Sequence, residues 1–295
     1  MPILLPLAAA FLAQAAPATP SAKPPLAPGE IANAAPASAW RTIADDDILI
    51  FTLANGRTVI VQLAPGFAPR HVERMRILAN SKWWDATSVY RVQDNYVAQW
   101  GDVTEKKALP PGVADTGPAE YVRTGGLPVV RMTRPDSFAA IAGFDAAGWP
   151  VASDGKTSWL THCYGMVGVG RDLAPSVGSA AELYAVIGHA PRALDRNIAL
   201  VGRVIEGIDA LSSLERGTGT LGFYGDAQRP TPIVSARLAS ALPAAERPRF
   251  EYLAPGSPAF ASYLHARENR EPPFFTVPAG GADICNVPVP VRRKT

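Results

Sequence analysis

The sequence predicts a mainly β fold, and three observations carry that prediction. Runs rich in β-branched and aromatic residues recur along the chain, at Asp47–Leu53, Thr58–Leu63, Ser88–Val92, Ala180–Ile187, Ile198–Val204 and Thr231–Leu238. Several of them are joined by short turn signals, Asn55-Gly56 and Gln93-Asp94-Asn95 among them. Helical spacing is confined to short stretches, and 29 prolines and 25 glycines ask for many loops. Hydrophobic residues make up 47% of the chain and charged residues 18%, enough apolar content for a sizeable core and too little charge for global disorder.

Taken in order, residues 1–15 (MPILLPLAAAFLAQA) read as a secretory leader. Ile3–Leu12 has the length of a leader's apolar core and is too short to span a bilayer, and Ala13-Gln14-Ala15 offers a cleavage site. The segment 16–42, rich in Ala, Pro and Ser, reads as an extended linker, with structure beginning near Trp40. The hairpin Asp47–Leu63 follows. His71–Ala79 then has helical spacing, with Val72, Met75, Ile77 and Leu78 able to face a core. Lys82-Trp83-Trp84-Asp85 leads into the strand pair 88–102. Across its turn, Arg91, Tyr96, Val97 and Gln99 can share one surface: one guanidinium fork, one amide and apolar walls.

This strand pair resembles the active-site strands of the cyclophilins, the peptidyl-prolyl cis-trans isomerases. Tyr90-Arg91, the turn, and Tyr96-Val97-Ala98-Gln99-Trp100-Gly101-Asp102 keep the family's register of Arg, aromatic, Gln and Gly-Asp. Tyr90 replaces the family's His, Val97 its Met, and Trp100 one Gly. The later run Leu194–Leu211 resembles the family's Leu-Asp, strand and Glu-Gly segment, with Ala193 and Ile198 where cyclophilins often carry Trp and His. In the Ala180–Ile187 strand, Glu182 stands for the family's Gln and Tyr184 for its Phe. Pro118-Ala119-Glu120-Tyr121 resembles a Pro-x-Glu-Phe-like segment. About residues 46–240 carry the resemblance. It implies a closed antiparallel eight-stranded barrel with a few short helices over residues 43–241. An insertion over about 103–160 and a C-terminal extension, 242–295, accompany it. Within the extension, Glu246–Arg267 has helical character that Pro255 and Pro258 are expected to break.

The resemblance also implies the site. Arg91 would be catalytic, and Tyr96, Val97, Gln99, Glu182, Tyr184 and Leu194 would hold the proline-containing substrate, with Glu182 close enough to orient Arg91 or to offset its charge. Tyr184 should keep its hydroxyl wet or bonded. The implied activity is isomerisation of X-Pro bonds in folding exported proteins. The alternative is a cyclophilin-shaped chaperone or peptide-binding module with little or no activity.

Other functions find less support. A net charge of +2, with no basic stripe, gives no reason to expect nucleic acid as a partner. The Gly-x-Gly at Gly168–Gly170 lacks the residues that complete a phosphate loop, and Gly217–Gly225 reads as a mobile loop. No Gly-x-Ser-x-Gly elbow suggests a hydrolase. His71, His162, His189 and His265 lack metal-ligand spacing, so neither metal nor cofactor is expected. Cys163 and Cys285 fit either one long-range disulfide in an oxidising compartment or two buried thiols. The expected product is a periplasmic or secreted monomer that does not stay in the membrane once its leader is removed.

Overall fold

The structure, a computed structural model, describes residues 25–294. The expected leader, residues 1–15, lies outside the described residues. In chain order the elements are α1 (Pro28–Asn33), β1 (Trp40–Thr42), β2 (Ile48–Leu53), β3 (Thr58–Leu63), α2 (Pro69–Asn80), β4 (Ser88–Val92) and β5 (Val97–Gly101). Short strands follow at β6 (Arg123–Thr124), β7 (Val130–Arg131), β8 (Ile141–Phe144), β9 (Pro150–Ser153) and β10 (Thr157–Leu160). The chain continues through β11 (Met166–Val169), β12 (Leu183–Val186), β13 (Leu200–Glu206), α3 (Ile208–Ser212) and β14 (Thr231–Leu238). It ends with β15 (Phe250–Leu253), α4 (Pro258–Glu268) and β16 (Val291–Arg293).

Eight strands close an antiparallel barrel in the order β11-β12-β5-β4-β14-β2-β3-β13. Alternation along each strand sends one set of side chains inward and leaves the other on the outer face. Phe51, Val61, Val89, Trp100, Val167, Leu183 and Val201 fill the interior. Trp100, which stands where the family has a small residue, is therefore a core residue, edge-on to Phe51 with centroids 5.4 Å apart. Helix α2 adds Val72, Met75 and Leu78, one helical face, to the same core.

A second core lies against the outside of the barrel. The segment 103–160 contributes a five-stranded sheet ordered β6-β10-β9-β8-β7, and the chain ends contribute a three-stranded sheet ordered β1-β15-β16. Phe144, Trp149, Leu160, Leu253, Phe260, Tyr263 and Ile284 pack there, together with Met166 and Leu200 from the barrel strands.

Two expectations change. The described part of the Ala/Pro-rich segment is packed rather than extended: Ala32, Ala35, Ala39 and Trp40 are buried in this second core, α1 packs on α4, and β1 pairs with β15. Alanine methyls suit a close helix contact as well as they suit a spacer, so composition alone does not separate the two. In the extension, Pro258 begins α4 instead of breaking a helix, because its missing N–H falls where no intrahelical bond is made; Ser257 caps the end by accepting from Phe260 N–H at 3.1 Å.

Candidate active site

The site lies on the outer face of the barrel, on the adjacent strands β4, β5 and β12. A register shift between Val89 and Arg91 marks a bulge at Tyr90, after which Arg91 stands opposite Gln99. Tyr184 pairs with Gln99 from the other side, and Val186 with Val97. Period-two alternation therefore puts Val97 and Gln99 on one face with Glu182, Tyr184 and Val186.

Arg91 is held by three acceptors. Nη1 donates to Gln99 Oε1 at 2.9 Å, Nη2 to Gln93 Oε1 at 2.7 Å, and Nε to the Leu221 carbonyl at 2.8 Å. Its guanidinium also lies 5.3 Å from the Phe223 ring centroid. Burial draws the Arg91 pKa below its ordinary value, an effect opposed by the phenolic oxygens of Tyr96, Tyr90 and Tyr184. A guanidinium has five N–H groups, so one on each terminal nitrogen remains for a substrate.

Beside the guanidinium is an apolar cup. Val97, Tyr184 and Val186 form its buried part, and Tyr96 and Ile198 pack at its edge. The Tyr184 ring lies over Gly168, where any side chain would collide with the phenol. Its hydroxyl is hydrogen-bonded to His162 Nε2 at 2.9 Å, while His162 Nδ1 faces Asp195 Oδ1 at 2.9 Å. Arg192 closes this buried network, bonding Asp195 through Nε at 2.6 Å and Asp136 through both terminal nitrogens. Asp195 feels burial first, which would raise its pKa, but the bonds from His162 and the Arg192 charge bring it below the ordinary carboxylate value.

The structure thus gathers Arg91, Tyr96, Val97, Gln99 and Tyr184. Glu182 does not touch Arg91. Its Oε2 accepts from the Tyr90 hydroxyl at 2.6 Å and its Oε1 from Asp102 N–H at 2.8 Å, so the bulge has put Tyr90 between the two charges. Leu194 sits half-buried in the short turn Arg192–Leu194 and is not part of the apolar cluster; Ile198 takes that place. The loop 217–225 also belongs to the site, through the Leu221 carbonyl, an Arg91–Phe223 bridge, and stacking of Phe223 on Tyr90. Sequence reading missed Gln93, His162 and Phe223. An aromatic among glycines and a polar residue beside Arg91 were the available signals for two of them. His162 had none, since its partner is 22 residues away.

A closed eight-stranded barrel with an arginine and an apolar cup on its outer face defines a peptide-binding barrel enzyme of the prolyl isomerase class. The profile of the family described as cyclophilin type peptidyl-prolyl cis-trans isomerase matches residues 48–237, and the chain belongs to that family. Such enzymes act on proline-containing peptides. Among solved structures, the crystal structure of cyclophilin AquaCyp293 from Hirschia baltica is similar at 25% identity and a TM-score of 0.68, over 86% of this chain and 93% of that one. A Cryptosporidium parvum cyclophilin-type isomerase, solved in the presence of the dipeptide Ala-Pro, is 11% identical with a TM-score of 0.41, over 65% of this chain and 98% of its own. No curated protein matches the chain.

Proposed function

We propose that this chain isomerises X-Pro bonds in exported polypeptides, with Arg91 stabilising the twisted imide. Rotation about the bond breaks amide resonance at a cost of about 18–20 kcal/mol. No nucleophile or metal is called for: a catalyst need only bind the twisted state better than either planar one. As the bond twists, the imide nitrogen becomes pyramidal and recovers its lone pair. The two unclaimed Arg91 N–H groups then serve that nitrogen and the proline carbonyl, while Val97, Tyr184 and Ile198 hold the ring. The observation that carries the reading is the Arg91–Gln99 bond of 2.9 Å, which fixes the guanidinium beside the cup before substrate arrives. The export part of the proposal is supported by the bond between Cys163 and Cys285, a cross-link that persists in oxidising compartments outside the cytosol. A periplasmic or secreted location follows from the same argument.

The test is cis-to-trans isomerisation of short X-Pro peptides. Arg91→Ala should lower kcat/KM by about 10²–10³-fold, the usual effect of removing a preorganised donor. Arg91→Lys should lose nearly as much, because an ammonium cannot present two N–H groups in a planar fork. A lysine variant that keeps most of the activity would sink the two-point mechanism.

A further inference from the structure

Behind Arg91 runs a line of hydrogen bonds in which every link has a fixed direction. The Asp102 backbone N–H donates to Glu182 Oε1 at 2.8 Å, and the Tyr90 hydroxyl donates to Glu182 Oε2 at 2.6 Å. The Tyr90 oxygen accepts from Gln99 Nε2 at 2.9 Å, which leaves Gln99 Oε1 to accept from Arg91 Nη1 at 2.9 Å. An amide has one oxygen and one NH₂ group, so only this orientation satisfies both neighbours of Gln99. The line is tightly seated: a side chain at Gly101 would collide with the Glu182 carboxylate, and one at Gly170 would press on both Glu182 and Gln99.

We propose that Glu182 and Tyr90 are positioning residues which set the orientation of the Gln99 amide, and through it the placement of Arg91, so that a proton on Glu182 switches the site. This inference rests on Arg91 acting as described above. When Glu182 takes up a proton, the Asp102 N–H still claims Oε1. The new O–H therefore forms on Oε2 and points at Tyr90. The Tyr90 hydroxyl has bonds only to Glu182 and Gln99 among the described residues, so its own proton turns toward Gln99. Gln99 then serves Tyr90 with its oxygen, and its NH₂ group faces the Arg91 N–H. Donor meets donor, and Arg91 loses an anchor.

The groups around Glu182 place the switch near neutral pH. Burial pushes its carboxyl up to about 7, against the bonds from Tyr90 and the Asp102 amide and with the help of the Asp102 and Glu105 carboxylates beyond β5. Tyr90 faces it from β4. At the end of β11, Arg171 turns its guanidinium to the carbonyls of Asp172 and Asn197. No described cation forms an ion pair with Glu182.

The decisive experiment combines activity with a direct view of the amide. Scanned from about pH 5 to pH 9, wild-type kcat/KM should rise through about pH 7 and reach its plateau on the alkaline side. Glu182→Gln copies the protonated carboxyl, because its oxygen is claimed by Asp102 and its NH₂ is left for Tyr90. Its profile should be flat and about tenfold below the wild-type plateau. Tyr90→Phe should be flat as well. In ¹⁵N NMR of the wild type, the Gln99 side-chain amide and Arg91 Nε–H signals should move with the same midpoint as activity. Gln99 signals that stay still across the titration overturn the proposal, whether or not the variants fold, and so does a Glu182→Gln profile like the wild type. If the wild type shows no isomerase activity, it is the role of Arg91 that fails, and the NMR titration still decides the relay.

Discussion

Tyr184 serves the site in two ways that a single substitution separates. Its ring floors the apolar cup, and its hydroxyl is the only partner of His162 Nε2 among the described residues. Tyr184→Phe keeps the ring and leaves a fully buried imidazole nitrogen unpaired, which costs about 1–3 kcal/mol. Urea unfolding should register that loss, while kcat/KM falls less than about tenfold, since phenylalanine presents the same apolar face. A large loss of activity with unchanged stability would instead place the hydroxyl in the reaction. At this scale the site was legible wherever strand periodicity delivers it. Val97, Gln99 and Tyr184 lie on strands whose alternation puts them on one face, and Arg91 joins them through the bulge at Tyr90. Glu182 shares that face by alternation along β12, yet its partner was not readable, because a one-residue bulge decides whether Tyr90 or Arg91 meets it. Leu221, Phe223 and His162 reach the site from irregular segments, where no period in the sequence reports position.

Between elements, a single carboxylate ties the 103–160 segment to helix α2. Glu120 accepts from the backbone N–H groups of Arg70 and His71, at 2.8 and 2.9 Å, and from His71 Nδ1 at 2.5 Å. These are donors that the first turn of a helix leaves without partners, and a negative charge there also meets the positive end of the helix dipole. Burial alone would raise the Glu120 pKa, but the bonds from His71 and the two amides bring it below its ordinary value of 4.5. A depressed carboxylate contributes stability that is present above the unfolded value and lost as pH falls through the folded one. Glu120→Ala should therefore destabilise by about 1–3 kcal/mol at neutral pH. The gap to wild type should close as pH falls below the ordinary carboxylate range, and urea melts at neutral and acid pH would show it; a gap independent of pH would mean that packing, not charge, is what Glu120 supplies. The barrel strands β2, β3 and β4 were legible because each is a run with β-branched residues and a turn signal beside it. The short strands β6 to β10 were not. They are two to four residues long, interrupted by Gly and Pro, and held by pairing with one another rather than by local preference.

At the scale of the whole molecule, the two largest apolar clusters among the described residues are served by the same strands. In β11, Met166 faces the outer core and Val167 the barrel interior; across the β13 pairing, Leu200 and Val201 divide in the same way. Arg203 on β13 adds a polar tie, donating to Gln62 Oε1 at 2.9 Å and to the Gly148 carbonyl at 2.7 Å over the Trp149 ring. The extension therefore covers apolar barrel surface, and the disulfide joins it to Cys163, the residue after His162, across a sequence separation of 122. Closing a loop of that length stabilises by roughly 3–5 kcal/mol in the chain-entropy account. If the two cores fold as one unit, Cys285→Ser should lower the unfolding free energy by that amount in a single transition. Tryptophans report from both sides, Trp84 and Trp100 in the barrel and Trp40 and Trp149 in the outer core. Hydrogen exchange resolved by segment should show protection falling together in β2–β5 and in β15–α4. Loss confined to β15–α4, with the barrel unchanged, would make the extension a separately melting cover. Because His162 and Tyr184 sit at the junction, that second outcome would also predict a weakened proline cup in the variant, read as a rise in KM at unchanged kcat.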